Sequence, residues 1–162
     1  NCKYDTPGYG WQLAHGATAL TESWQAYGFV SNNHFMLGHL MEWLFSGLGG
    51  IRQKEDSFGF KHIVIKPEPV GDVREAQVSY ESPYGQIVSD WKDNDKEFII
   101  RVEVPANSKA SVYLPSADTK QITESGVRLE DVPGISCKQE GNRYVVATTG
   151  SGTYTFKVKK NK

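Results

Sequence analysis

From residue 61 to the end of the chain, short runs of β-branched and aromatic residues alternate with turn signals. They read HIVIKP, EAQVSYESPYG, QIVSDWKDND, KEFIIRVEVPAN, SKASVYLPSAD, TKQITESG, VRLEDVPG, ISCKQEGN, RYVVATTGSG and TYTFKVKK. About ten segments at a spacing of roughly 8–12 residues are the pattern of an antiparallel β-sandwich or barrel. In FIIRVEVP, Phe98, Ile100, Val102 and Val104 fall on one face, with Ile99, Arg101 and Glu103 on the other. Val112 and Leu114 share a face in SVYLP, and Tyr154, Phe156 and Val158 point inward in TYTFKVKK. The sequences DNDK, EGNR, VPGI and TGSG carry the residues that turns require. Residues 61–160 are therefore expected to form a sandwich with its own core.

The first third has a different texture, rich in aromatics and glycine and poor in β-branched residues. NNHFMLGHLMEWLFSGLGG places Leu37, Leu40, Met41, Leu44 and Leu48 on one helical stripe. Asn32 or Asn33 is expected to cap its start, and Gly49 or Gly50 to end it. Phe35, Met36, Trp43 and Phe45 lie off the stripe, and a helix apolar on several sides needs neighbours on several sides. A shorter helix is expected over GYGWQLAHG. Two helices do not satisfy that demand, so the pattern implies either close packing on the sandwich or further helices outside this sequence. The charged, glycine-containing stretch QKEDSFGF is the expected boundary, dividing residues 1–55 from residues 61–160.

Composition narrows the function classes. A length of 162 residues suits one domain, or one domain with a piece of another. The net charge of −1 gives no electrostatic reason to expect a nucleic-acid partner or an anionic membrane surface. No apolar run approaches the roughly 18 residues of a membrane span. The opening NCKYDTPGYG has neither the basic head nor the apolar core of a signal peptide. Cys2 and Cys137 have no metal-ligand spacing and are read as free thiols. The absence of an initiator Met fits a processed chain or part of a longer one.

Candidate chemistry centres on HGATALTESWQAYG, where Glu22 has no basic neighbour in sequence. An arbitrary glutamate is mostly a solvated acid. Here Thr18, Thr21 and Ser23 surround it with hydroxyls, and Trp11, Trp24 and Tyr27 with flat apolar faces. Aromatic faces stack on pyranose rings, hydroxyls orient them, and a carboxylate transfers protons, so the set suits sugar cleavage. His34 follows Asn32 and Asn33 at a helix start. It reads either as a locally bonded first-turn residue or as a polar contact to a ligand hydroxyl. His15, His39 and His62 have no ligand spacing with it, so no metal site is expected. Tyr80, Tyr84 and Trp91 read as sandwich core, with a binding platform as the alternative.

Five stretches in order, GATALTESW, NNHFMLGHLMEWLFSGLGGI, GFKHIVIKPEP, VSYESPYGQIVSDWK and VEVPANSKASVYLP, resemble the C-terminal part of bacterial α-L-rhamnosidases. The resemblance covers nearly the whole chain. It implies that residues 1–55 are the last helices of a catalytic six-hairpin α/α barrel and residues 61–160 the C-terminal β-sandwich. It further implies an inverting glycosidase with two carboxyl groups, acting on rhamnose-containing glycans or glycosides without a cofactor. By motif, Glu22 matches the general base, His34 a residue contacting rhamnose, and Trp24 an aromatic shaping the pocket. Two departures stand out: the segment between Glu22 and His34 is short, and Thr21 stands where many relatives have Trp. The general-acid segment has no match, so the general acid would belong to an N-terminal part of the same enzyme and this polypeptide alone is expected to be inactive. A periplasmic or secreted bacterial setting fits but is not fixed. The competing expectation is a non-catalytic sandwich that binds glycan or braces a neighbouring domain.

Overall fold

The computed structural model describes residues 8–25 and 27–160. The chain divides into two compact units, Asn1–Trp43 and Leu44–Lys162. Cys2 lies outside the described residues, while Cys137 is exposed and unpaired.

In the first unit, α1 spans Tyr9–Ala14, close to the expected short helix. Residues 20–22 and 31–34 then run side by side. The Glu22 N–H donates to the Ser31 carbonyl at 2.8 Å, and the His34 N–H donates to the Leu20 carbonyl at 2.7 Å. Phe35–Gly38 forms a 3₁₀ turn, followed by α2, His39–Trp43. Among the described residues of this unit, Leu13, Phe29, Phe35, Met36 and Met41 are all more than half exposed.

The expected single helix over residues 34–48 is thus not one regular cylinder, because Leu44–Leu48 winds as a π-type turn. The apolar stripe fails with it: Met41 is 57% exposed although Leu37 and Leu40 are partly buried. Neither Asn32 nor Asn33 caps the start; His34 holds that position with extended backbone and no side-chain capping bond.

The second unit is a two-sheet sandwich. Its strands are β1 Ile51–Gln53, β2 His62–Ile65, β3 Glu75–Ser82, β4 Gly85–Asp93, β5 Glu97–Val104 and β6 Lys109–Leu114. They continue with β7 Ile122–Glu124, β8 Val127–Arg128, β9 Ser136–Glu140, β10 Tyr144–Thr149 and β11 Gly152–Lys159. The five-stranded sheet has the order β1-β2-β6-β10-β9, and the six-stranded sheet β3-β4-β5-β11-β7-β8. Pairing is antiparallel throughout except between β2 and β6, which run parallel with His62 opposite Lys109 and Val64 opposite Ser111. The sandwich is thus antiparallel as expected apart from that one pair; the long excursion from residue 66 to 108 through the other sheet supplies the crossover that a parallel pair requires.

Both sheets contribute to one core. Ile63, Ile65, Val112, Leu114 and Val145 come from the first, and Ile87, Trp91, Ile100, Val102 and Phe156 from the second. The expected inward faces are the buried ones, with Phe98, Ile100, Val102 and Val104 all buried along β5. Each large side chain so enclosed contributes about 1.5–3 kcal/mol relative to exposure. Turn chemistry follows the sequence: Asn94 Oδ1 accepts from the N–H groups of Lys96 and Glu97 at 2.9 and 3.0 Å, closing β4 onto β5. Edge strand β9 is exposed along its whole length and carries Lys138 and Glu140, charges that discourage pairing with another chain.

Gly50 joins the π-type turn to β1. Its φ of +70° lies in the left-handed region, and a Cβ there would sit 2.2 Å from the Lys66 carbonyl carbon and the Pro67 nitrogen. Only glycine fits this close backbone approach.

Candidate functional site

The N-terminal unit holds the three residues singled out by sequence. Glu22 is exposed, and its carboxylate is tethered: Oε2 accepts the Ser31 N–H at 3.0 Å, nine residues on. Its other oxygen has no partner among the described residues. With the Glu22 N–H bonded to the Ser31 carbonyl, both ends of the residue are held by one neighbour. A carboxylate fixed through one oxygen and open at the other has the form needed to accept a proton from a water molecule.

Of the hydroxyls expected around Glu22, that of Thr21 is engaged elsewhere. Thr21 is buried, and its Oγ1 donates to the Ser23 carbonyl at 2.5 Å. Among the described residues, Ser23 Oγ is buried without a hydrogen-bond partner, as is Trp11 Nε1. Sequence reasoning passed over Ser31, the residue that positions Glu22. It contributes a backbone N–H, which no side-chain pattern announces.

His34 is half-buried, its backbone held by Leu20 and its ring lying nearly parallel to Phe35 at 5.9 Å between centroids. The other three histidines use a ring nitrogen internally. His15 Nδ1 is 2.9 Å from the Trp11 carbonyl, His39 Nδ1 3.0 Å from the Met36 carbonyl, and His62 Nε2 2.8 Å from Ser111 Oγ. Among the described residues, the His34 imidazole alone has no hydrogen-bond partner. Because residues 20–22 and 31–34 are bonded side by side, the segments carrying Glu22 and His34 are neighbours despite the intervening loop.

Trp24 is half-buried and packs edge-on against Tyr9 at 4.8 Å between centroids. Tyr9 in turn donates its hydroxyl to the Leu37 carbonyl, fixing the ring that supports Trp24. Tyr27 is exposed and stacks on Phe29 at 5.2 Å. A mostly apolar recess of about 320 Å³ is lined by Tyr9, Gln12, Leu13 and residues 17–20; Glu22, Trp24 and His34 do not line it. Among the described residues no three His, Cys, Asp or Glu side chains are grouped as a metal site, and no helix is long and apolar enough to cross a membrane.

The platform considered on the sandwich does not assemble. Trp91 is 1% exposed and donates Nε1–H to the Leu48 carbonyl at 2.9 Å, placing it in the core. Tyr80, packed on Phe60 at 4.8 Å between centroids, and Tyr84 remain on the surface.

Comparison with known proteins gives a consistent result. Residues 2–48 match the model of the bacterial alpha-L-rhamnosidase 6 hairpin glycosidase domain, and residues 50–128 that of the bacterial alpha-L-rhamnosidase C-terminal domain. An alpha-L-rhamnosidase of Formosa agariphila is 25% identical over 162 residues, covering 94% of this chain and 17% of that protein. One from Streptomyces avermitilis is 27% identical over 164 residues, covering 94% of this chain and 15% of that protein. The chain thus spans well under a fifth of the length of these curated relatives. Among solved structures, alpha-L-rhamnosidase from Dictyoglumus thermophilum superposes with a TM-score of 0.78 at 28% identity, over 98% of this chain and 18% of that one. The Streptomyces avermitilis enzyme, complexed with L-rhamnose, superposes at 0.75 with 23% identity, over 96% of this chain and 15% of that one, a likeness of fold.

Proposed function

We propose a function from one premise: this chain belongs to the bacterial α-L-rhamnosidase family, and joins the end of the six-hairpin glycosidase domain to the C-terminal β domain. On our reading it is the C-terminal portion of an enzyme that hydrolyses terminal α-L-rhamnosides with inversion. Residues 1–55 complete a catalytic barrel, with strand β1 already paired into the sandwich that continues through residues 61–160. The apolar side chains exposed on the N-terminal unit, Phe35 and Met36 among them, pack against upstream helices of the parent enzyme.

Glu22 is the general base. Its open carboxylate oxygen takes a proton from the water that attacks the anomeric carbon, while a carboxylic acid from the upstream segment protonates the departing oxygen. Such pairs stand about 6.5–9.5 Å apart, leaving room for the water. His34 directs its unbonded imidazole to a rhamnose hydroxyl, and Trp24 forms a wall of the sugar pocket. The observation that carries this reading is the one-sided tether of Glu22 by the Ser31 N–H.

The test uses the full-length enzyme and an aryl α-L-rhamnoside. Proton NMR of the first-formed rhamnose should show the β anomer, and the Glu22→Gln enzyme should fold but turn over at least roughly a hundredfold more slowly. Retention of the α anomer, or undiminished turnover in Glu22→Gln, would sink the assignment. The 162-residue chain alone should show no hydrolysis.

A further inference from the structure

The sandwich carries a cluster of cations that has no matching set of anions. Lys54 follows β1, Lys61 precedes β2, and Lys109 opens β6; all three line one recess of about 400 Å³. None of these lysines takes part in an ion pair among the described residues, although Lys92, Lys157 and Lys160 each do. Asp56 is the only acid in the lining, leaving an excess of positive charge.

Backbone bonds hold the cluster together. The Lys54 N–H donates to the His62 carbonyl and the Lys109 N–H to the Lys61 carbonyl, each at 3.0 Å. Between them the loop is closed on itself. Ser57 Oγ accepts the His62 N–H at 2.8 Å, and Gln53 Oε1 accepts the Phe60 N–H at 3.1 Å. These backbone bonds keep the three lysines on one recess, where an incoming negative group meets an excess of positive charge. His62, in the same lining, registers that field: burial and then the charges of Lys109 and Lys54 hold its imidazole below the usual histidine range.

The rim is aromatic. Phe58 is 87% exposed and Tyr84 39% exposed, and both line the recess. Exposed aromatic faces beside clustered ammonium groups suit a ligand with a ring to stack and a charge to neutralise.

We propose that this recess binds an oxyanion, a sulfate ester or carboxylate, carried on a sugar. Lys54, Lys61 and Lys109 surround the oxyanion, and Phe58 and Tyr84 contact the pyranose ring. No bond is made or broken there, and the site is independent of the role assigned to Glu22.

The experiment titrates the 162-residue chain with glucose 6-sulfate, glucuronate, glucose and inorganic sulfate, following the His62 imidazole and the aromatic rings of Phe58 and Tyr84 by NMR. Glucose 6-sulfate and glucuronate should raise the His62 pKa and shift both ring signals, with glucose inert at the same concentration. The double variant Lys61→Gln/Lys109→Gln should bind roughly tenfold or more weakly, the loss expected for a charge-assisted contact. Circular dichroism should show its fold intact. No His62 response to either acidic sugar, or equal binding by the double variant, overturns the proposal. Inorganic sulfate binding as tightly as glucose 6-sulfate, with the ring signals unmoved, overturns the sugar half of it. Either failure leaves the Glu22 reading standing, since no residue of that site is changed.

Discussion

Glu22 and Ser31 hold each other through two hydrogen bonds: the Glu22 N–H donates to the Ser31 carbonyl at 2.8 Å, and the Ser31 N–H donates to Glu22 Oε2 at 3.0 Å. The arrangement limits the swing of an exposed side chain without engaging its second oxygen. Glutamine keeps the shape and retains an oxygen that accepts the Ser31 N–H, but it does not take up a proton. In the full-length enzyme, Glu22→Gln should therefore lower kcat by roughly 10²–10⁴-fold, the range for loss of general-base catalysis. KM and the melting temperature should stay close to those of the parent. A fall in kcat of less than tenfold would remove Glu22 from the base role.

His34 separates from the other histidines by what its ring lacks. In the full-length enzyme, His34→Ala should reduce kcat/KM roughly 3- to 10-fold, the loss of about one neutral hydrogen bond to the sugar. His39→Ala is the matched control: its imidazole already bonds the Met36 carbonyl, so kcat/KM should hardly change. Equal losses in the two variants would assign His34 a structural role.

Legibility from sequence followed periodicity. β5 could be read because Phe98, Ile100, Val102 and Val104 repeat over four periods of two, long enough to separate inside from outside. β1, only Ile51–Gln53, spans less than two periods, too few to stand out from the helical region before it. The parallel pairing of β2 with β6 was also hidden, because partners such as Val64 and Ser111 are distant in sequence and nothing in either strand names the other. At the candidate site the motif brought out Glu22, His34 and Trp24, whereas its chief support, Ser31, acts through the backbone. The hydroxyl of Thr21 misleads for the converse reason: its side-chain chemistry is visible in sequence, but its local bond to the Ser23 carbonyl is not.

Trp91 should prove to be a stability residue. It lies 1% exposed in the core, stacks near Phe98 at 6.2 Å between centroids, and bonds the Leu48 carbonyl. Trp91→Ala should destabilise the sandwich by about 3–5 kcal/mol through the cavity it leaves. Trp91→Phe keeps most of the ring but strands the carbonyl, costing about 1–3 kcal/mol. Urea unfolding followed by circular dichroism checks both. An unchanged midpoint for Trp91→Ala would contradict the observed burial.

His62 predicts a pH dependence of stability. Its imidazole is partly buried and faces Lys54, Lys61 and Lys109, with Asp56 on the same recess and Ser111 at its ring nitrogen. Burial first, then Lys109 and Lys54, lower its pKa from the ordinary 6.5. Below that ordinary value the unfolded chain gains a proton that the folded protein still refuses, so the unfolded state binds more protons and stability falls with falling pH. The contribution is complete above about 6.5, declines as pH drops through the window down to the lowered folded value, and is fully lost below it. Urea midpoints measured between pH 8 and pH 5 should thus decline on the acid side, and His62→Gln should flatten part of that decline. Lys109→Gln should move the His62 titration, followed by NMR, back toward 6.5; a midpoint or titration unmoved by these changes would separate His62 from the lysine field.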